Sequence, residues 1–379
     1  MATRDHTVDG AEITPAPRTL TALSEEMLAG WPVLRKSELP ALQAAAPPFG
    51  GLAADAPGRF PRLFLSPGPI CEPGGIDDAG AVRAMKAAGV HAGDVLLNTF
   101  GYHLTPAGLM FDDAARALGA AVIPAGGGNT GQILLAMQAY APTVYVGTPD
   151  YLNILIEAAV EAGIPLSLRT ALLSAAALPL SLRAAFGRRG IEVFEQYGTA
   201  ELGIIAYETA SQDGMVLNET LWAEIVAPGS GEPMPDGEVG ELVVTPFRQS
   251  YPLIRFGTGD LSAFLPGMVK SGHTNRRLRG WMGRADDTVK VKGMFLRPSM
   301  LDEVTSILPS RPPARFVIDR QNERDRLTLE IGTELPDDAV KALMAKVRDV
   351  CRVGCELRWV PSSEIALGKA ILDLRPEPS

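Results

Sequence analysis

From Asp94 to Tyr197, short apolar runs alternate with helix-length segments, and this alternation constrains the fold more than anything else in the chain. Asp94–Thr99, Ala121–Pro124, Thr143–Gly147, Thr170–Ser174 and Glu192–Gln196 read as strands. Gly108–Leu118, Asn129–Tyr140, Asp150–Ala162 and Leu180–Arg189 read as helices between them. Continuously apolar strands are buried on both faces. The pattern therefore predicts a parallel sheet covered by helices on each side. In open α/β folds ligands bind at the carboxyl edge of such a sheet.

After Glu201 the texture changes. Met215–Val226 and Gly240–Pro246 read as strands bounded by Pro228-Gly229 and Asp236-Gly237, with no helix between, which predicts an antiparallel portion. Beyond Gly283 the order is helix (Pro298–Ile307), strand (Ala314–Ile318), strand (Leu327–Ile331), helix (Asp337–Val350), strand (Glu356–Val360). The expected fold class is α/β. A large N-terminal domain, residues 1–283, has helix-covered, mostly parallel sheets plus the antiparallel portion. A small mobile C-terminal α+β domain spans residues 284–379, with the boundary at Arg284–Asp287. Residues 1–60 are rich in Ala and Pro. They hold helix-like pieces near Leu23–Leu28 and Leu39–Ala45 and no chemical motif.

Composition narrows the function. A chain of 379 residues can bury more than one core. Its net charge of −9 argues against nonspecific nucleic-acid binding, which needs basic patches, but not against a nucleotide. No apolar run reaches membrane-spanning length, and the first residues lack the apolar stretch of a secretory signal. Cys71, Cys351 and Cys355 form neither a disulfide framework nor a zinc pattern. They fit free thiols in a cytoplasmic protein. The four histidines are scattered, so a histidine metal site is not expected.

Four separated segments carry chemistry. Tyr197-Gly198-Thr199-Ala200-Glu201 follows a strand, so it falls at the carboxyl edge of the sheet. Its ring can stack on a purine, its hydroxyl can bond a phosphate oxygen, and its carboxylate can hold Mg²⁺ between phosphates. It can equally be a strand-ending turn with a capping Thr and Glu. In Tyr251-Pro252-Leu253-Ile254-Arg255-Phe256-Gly257-Thr258-Gly259-Asp260, two glycines let the backbone turn and aim Asp260 into a cleft, where it can accept from a ribose diol. The plainer reading is a Gly-Asp turn before a strand Leu261–Leu265. The third segment is Gly283-Arg284-Ala285-Asp286-Asp287, continuing to Gly293. The fourth is Gly368-Lys369-Ala370, near the chain end. Alone, they read as a solvated turn and a surface lysine.

The order and spacing of the four segments resemble the adenylate-forming enzymes, most closely the phenylacetate–CoA ligase branch, over roughly residues 60–379. Those enzymes activate a carboxylic acid with Mg·ATP and pass the acyl group to the thiol of coenzyme A. The resemblance implies an N-terminal adenylation domain and a C-terminal lid. It implies ATP/AMP, Mg²⁺ and coenzyme A as cofactors, a small aromatic acid as substrate, and no nucleic-acid or membrane partner, and it allows a homodimer. It makes Lys369 the electrostatic stabiliser of the carboxylate–α-phosphate transition state. Thr199 and Glu201 serve phosphate and metal, and Tyr197, Gly198, Asp260 and Arg284 the nucleotide. Asp286 becomes the hinge, and Gly293 lies beside the pantetheine tunnel. Asn98–His103 and Ala125–Thr130 resemble segments lining the acid pocket and adenine site. That adds Gly126 and Gly127 to the nucleotide and Phe100, Tyr102 and Gly128 to the acid. Gly126–Gly128 also reads as a strand-to-helix turn capped by Asn129. A carrier-protein or amine acceptor, and a non-catalytic nucleotide-binding homologue, remain as alternatives.

One segment departs from the family. Where it carries a Ser/Thr/Gly/Lys phosphate loop, this chain reads Ser66-Pro67-Gly68-Pro69-Ile70-Cys71-Glu72-Pro73. Two prolines remove N–H donors, and Glu replaces Lys. An inward Glu72 about 5 Å from a phosphate charge would repel it by roughly 3 kcal/mol at an effective dielectric of 20.

Overall fold

Alternate residues of the central strands face opposite helical layers, and this period of two builds the larger unit. The structure is a computed structural model. It describes residues 7–8, 11–12, 28, 30–66, 69–75, 80–176, 178–267, 275–285, 289–291, 294–321, 324–365 and 369–375. The chain divides into Met1–Trp281 and Met282–Ser379.

In the first unit, Val95–Asn98, Ala121–Pro124, Val144–Gly147, Thr170–Leu173 and Glu192–Thr199 pair in parallel. Gly203–Glu208, Met215–Leu217, Arg277–Leu278 and Phe264–Leu265 extend the sheet antiparallel, to nine strands. Leu96, Val144, Val146 and Leu172 pack with Met85 and Phe111 from helices Ala81–Ala87 and Ala107–Ala117. Leu97, Tyr145, Ala171 and Leu173 face the other way, toward Ile133, Leu152, Ile156 and Phe186. Those side chains come from Thr130–Tyr140, Pro149–Glu161 and Leu180–Gly187. Thr148 starts the second of these helices: its side chain accepts from Tyr151 N, and Pro149 supplies the fixed φ of the first turn.

A second sheet orders Leu221–Val226, Gly240–Pro246, Phe256–Ser262 and Leu34–Arg35. Two expectations change here. Met215–Val226 is two strands, one in each sheet. Buried Asn218 separates them, donating to Ile204 O at 3.0 Å while its own oxygen accepts from Thr220 N and Oγ1. Gly257–Asp260 lies within a strand rather than in a turn before one. The pairing slips between Glu241 and Val243, so the strand bulges, with Gly259 at φ +72.

The second unit orders Cys355–Trp359, Arg324–Ile331, Ala314–Gln321 and Ile371–Asp373 in one sheet. Helices Pro298–Thr305 and Asp337–Cys351 place Val304, Leu343 and Val347 against Phe316, Ile318, Leu327 and Leu329. The last strand was not expected from the sequence. Among the described residues, no helix is long and apolar enough to cross a membrane, and none of the three cysteines is in a disulfide.

Candidate functional site

Strand Glu192–Thr199 passes the carboxyl edge of the parallel sheet and returns as Gly203–Glu208. The return is tight: a Cβ on Gly198 would lie 2.4 Å from Gly203 O. Only glycine fits this approach without a shift. Register breaks between Tyr197 and Gly198. Thr199 Oγ1 accepts from Leu202 N at 3.3 Å, so Thr199 shapes the turn and also lines the cavity beside it.

That cavity has a volume of about 250 Å³. Its apolar lining includes Phe64, Phe100, Met110, Phe111 and Ile204. Phe100 stacks on Phe111, with ring centroids 5.3 Å apart. Ser174 and Ala175, after the strand Thr170–Leu173, line it too, Ala175 at φ +65. Of the residues assigned to the acid pocket, Phe100 lines the cavity; Tyr102 and Gly128 do not. Tyr102 is committed elsewhere: Asn98 Nδ2 donates to its hydroxyl at 2.9 Å, and the hydroxyl donates to Asp112 at 3.1 Å. Burial and the Asp112 charge push its pKa up. Gly126–Gly128 form a turn that Asn129 caps toward Gln132 N, with Gly126 N donating to Asn98 O at 3.0 Å. Open space lies over Gly126 and Gly128, so the turn offers room rather than a tight fit.

Asp260 projects from the bulge. Tyr197 Oη donates to its Oδ2 at 2.8 Å, and Trp281 Nε1 to its Oδ1 at 3.1 Å. Two segments far apart in sequence thus meet through one carboxylate.

The segment in the phosphate-loop position is a hairpin, Arg62–Ser66 paired with Ile70–Gly74. Arg62 forms an ion pair with Asp113 on the helix Ala107–Ala117, and both residues line the cavity. Pro67 and Gly68 lie outside the described residues. Glu72 points inward and is 2% exposed. Ser66 Oγ donates to its Oε1 at 2.5 Å, while Oε2 has no hydrogen-bond partner among the described residues. Burial, reinforced by the Glu201 charge, raises the Glu72 pKa to about 7; Ser66, Lys36 and Arg248 work against that rise. Glu201 is equally buried, with Lys36 Nζ 2.9 Å from its Oε1. Arg248 donates to the Glu201 backbone oxygen at 2.5 Å and lines the cavity.

Sequence reasoning missed Lys36 and Arg248. No local signal marks Lys36, which lies in the stretch read as free of motifs. Among the described residues, no group of three His, Cys, Asp or Glu side chains could hold a metal by itself. Mg²⁺ commonly needs only one or two carboxylates plus phosphate oxygens. Glu201 and neighbouring Glu72 are hard donors of that kind, so the residue types fit such an ion.

In the second unit, Lys369 is exposed just before the strand Ile371–Asp373. The strand is anchored where Phe316 N donates to Ala370 O at 2.9 Å. Arg284 is half-buried. Asp286 and Gly293 lie outside the described residues.

A family model described as AMP-binding enzyme matches residues 81–246. The phenylacetate-coenzyme A ligase of Aromatoleum evansii is 31% identical over 320 residues, 78% of this chain and 72% of the relative. That of Thermus thermophilus is 30% identical over 77% of this chain and 74% of its own length. The fold matches an open conformation of 2-hydroxyisobutyryl-CoA ligase in complex with 2-HIB-AMP and CoA. The TM-score is 0.81 at 24% identity, over 92% of this chain and 83% of that one. At 31% and 30% identity over more than two thirds of these relatives, the chain belongs to the adenylate-forming acid–CoA ligases.

Proposed function

We propose that the chain activates an aromatic carboxylic acid with Mg·ATP and transfers the acyl group to coenzyme A. The observation that carries this reading is the cavity walled by Phe64, Phe100, Met110 and Phe111, which meets Gly198-Thr199 at the sheet edge. The two curated relatives are named for phenylacetate, a single-ring acid. A cavity of about 250 Å³ suits a ligand of that size.

In this reading the substrate carboxylate attacks the α-phosphorus of ATP. The α–β phosphoanhydride bond breaks and pyrophosphate leaves. The coenzyme A thiol then attacks the acyl carbon, losing its proton to solvent as AMP departs. Tyr197 stacks on the purine and Asp260 accepts from the ribose diol. Thr199 donates to a phosphate oxygen and Lys369 offsets charge at the α-phosphate. Arg284 contacts ribose and phosphate, and Asp286 serves as hinge between the half-reactions. Glu201 would hold Mg²⁺, which neutralises phosphate charge when bound. Most of the work is positioning and charge stabilisation.

Calorimetric titration of Mg·ATP tests the nucleotide half. Asp260→Ala is expected to weaken binding by about 10²–10⁴-fold, since two hydrogen bonds to a charged acceptor are worth roughly 1.5–3 kcal/mol each. Equal affinity in the variant would remove Asp260 from the site. The acid half is tested by Met110→Trp. Overfilling a packed site costs about 1–3 kcal/mol, so kcat/KM for aromatic acids should fall about 5- to 150-fold while KM for ATP holds. A matching rise in KM for ATP would place the cavity on the nucleotide instead.

A further inference from the structure

Two buried carboxylates sit together, with Lys36 and Arg248 as the cations near them. Glu201 and Glu72 are each 2% exposed. Arg248 is held against the Glu201 backbone. Lys36 is placed differently. Its side chain is 32% exposed while that of Glu201 is 0% exposed, and its Nζ lies 2.9 Å from Glu201 Oε1.

We propose that Lys36 occupies, at Glu201, the place a divalent cation takes when nucleotide enters. It is a positioning residue that holds the Glu201 carboxylate aimed, and then withdraws. The inference rests on the acid-activation reading above. Three observations support it. Both Glu201 carboxylate oxygens are closed to solvent, so a hydrated cation reaches them only if something moves. The backbone around Lys36 is pinned: Arg35 Nη1 donates to Glu241 at 2.6 Å, and Arg35 N donates to Glu38 at 2.8 Å. Movement therefore falls to the Lys36 side chain, a flexible four-carbon stem whose ammonium is well hydrated outside. Finally, Glu72 is buried beside Glu201, so the pocket holds two carboxylates for a cation to serve.

The test uses the unaltered protein. Lysines are pulse-labelled with acetic anhydride, with and without Mg²⁺ and a non-hydrolysable ATP analogue, and labelling at Lys36 is read by mass spectrometry. The inference predicts a severalfold rise in Lys36 labelling when the analogue binds. Unchanged labelling would make the pair merely structural and overturn the inference. Decreased labelling would mean that Lys36 touches the nucleotide itself, and would also overturn it. In Lys36→Gln, the Mg²⁺ concentration for half-saturation with the analogue should fall about tenfold, because a competing cation is gone. An equal or higher requirement would contradict the inference. Calorimetry run alongside separates the two levels. Binding with unchanged Lys36 labelling sinks this inference alone, whereas no binding of the Mg²⁺ analogue complex sinks the nucleotide site and this inference with it.

Discussion

Lys369→Ala is expected to lower acid-dependent pyrophosphate release by about 10²–10³-fold, the range seen when one preorganised donor to a developing charge is removed. Lys369 is exposed, at the start of the edge strand Ile371–Asp373. Truncating it should change stability by no more than about 0.5 kcal/mol. Binding of Mg·ATP should change little, because the lysine acts on charge that develops as the acid attacks. That combination, with kcat reduced and fold and binding kept, separates transition-state stabilisation from ground-state binding. A loss of affinity as large as the loss of rate would make Lys369 a simple nucleotide contact. Unchanged turnover would remove it from the reaction.

The second large effect concerns Glu72 and pH. Burial and the Glu201 charge raise its pKa from 4.5 to about 7 in the folded chain. Between these two values the folded protein holds a proton that the unfolded chain releases. Stability therefore rises as pH falls from above 7 toward 4.5, and is lost as pH rises through 7. The shift corresponds to about 3 kcal/mol at most. Glu72→Gln removes the titration but keeps an oxygen that can accept from Ser66. At pH 8 the variant should be more stable than the parent by up to about 3 kcal/mol, with the gap closing below pH 5. Urea unfolding of both proteins at pH 8 and pH 5 reads the difference directly. Parallel pH profiles would show that Glu72 titrates alike in both states. Glu72→Lys would instead bury a further cation near Lys36 and Arg248.

Much of the scaffold was legible because its causes are local. Continuous apolar strands such as Ala121–Pro124 lie at the expected residues. Caps such as Asn129 and Thr148 begin helices within a residue or so of the expected starts. The split of Met215–Val226 was not legible, because Asn218 turns the chain by bonding to Ile204 in another strand. The bulge at Asp260 depends on pairing with Gly240–Pro246, again a contact that no local pattern reveals. Motif order singled out Thr199, Glu201 and Asp260, and of these Thr199 lines the cavity. Composition could not say that Glu72 turns inward, since that follows from the Arg62–Gly74 hairpin packing. Nor could it find Lys36, whose partner is brought near only by the folded unit.

The central claim, that this site adenylates an acid, is tested most directly by exchange of labelled pyrophosphate into ATP across a panel of aromatic and aliphatic carboxylic acids. The account predicts Mg²⁺-dependent exchange that requires an acid, is fastest with single-ring aromatic acids, and is lost in Asp260→Ala. Absence of exchange with every acid, in a protein that still binds Mg·ATP, would contradict it.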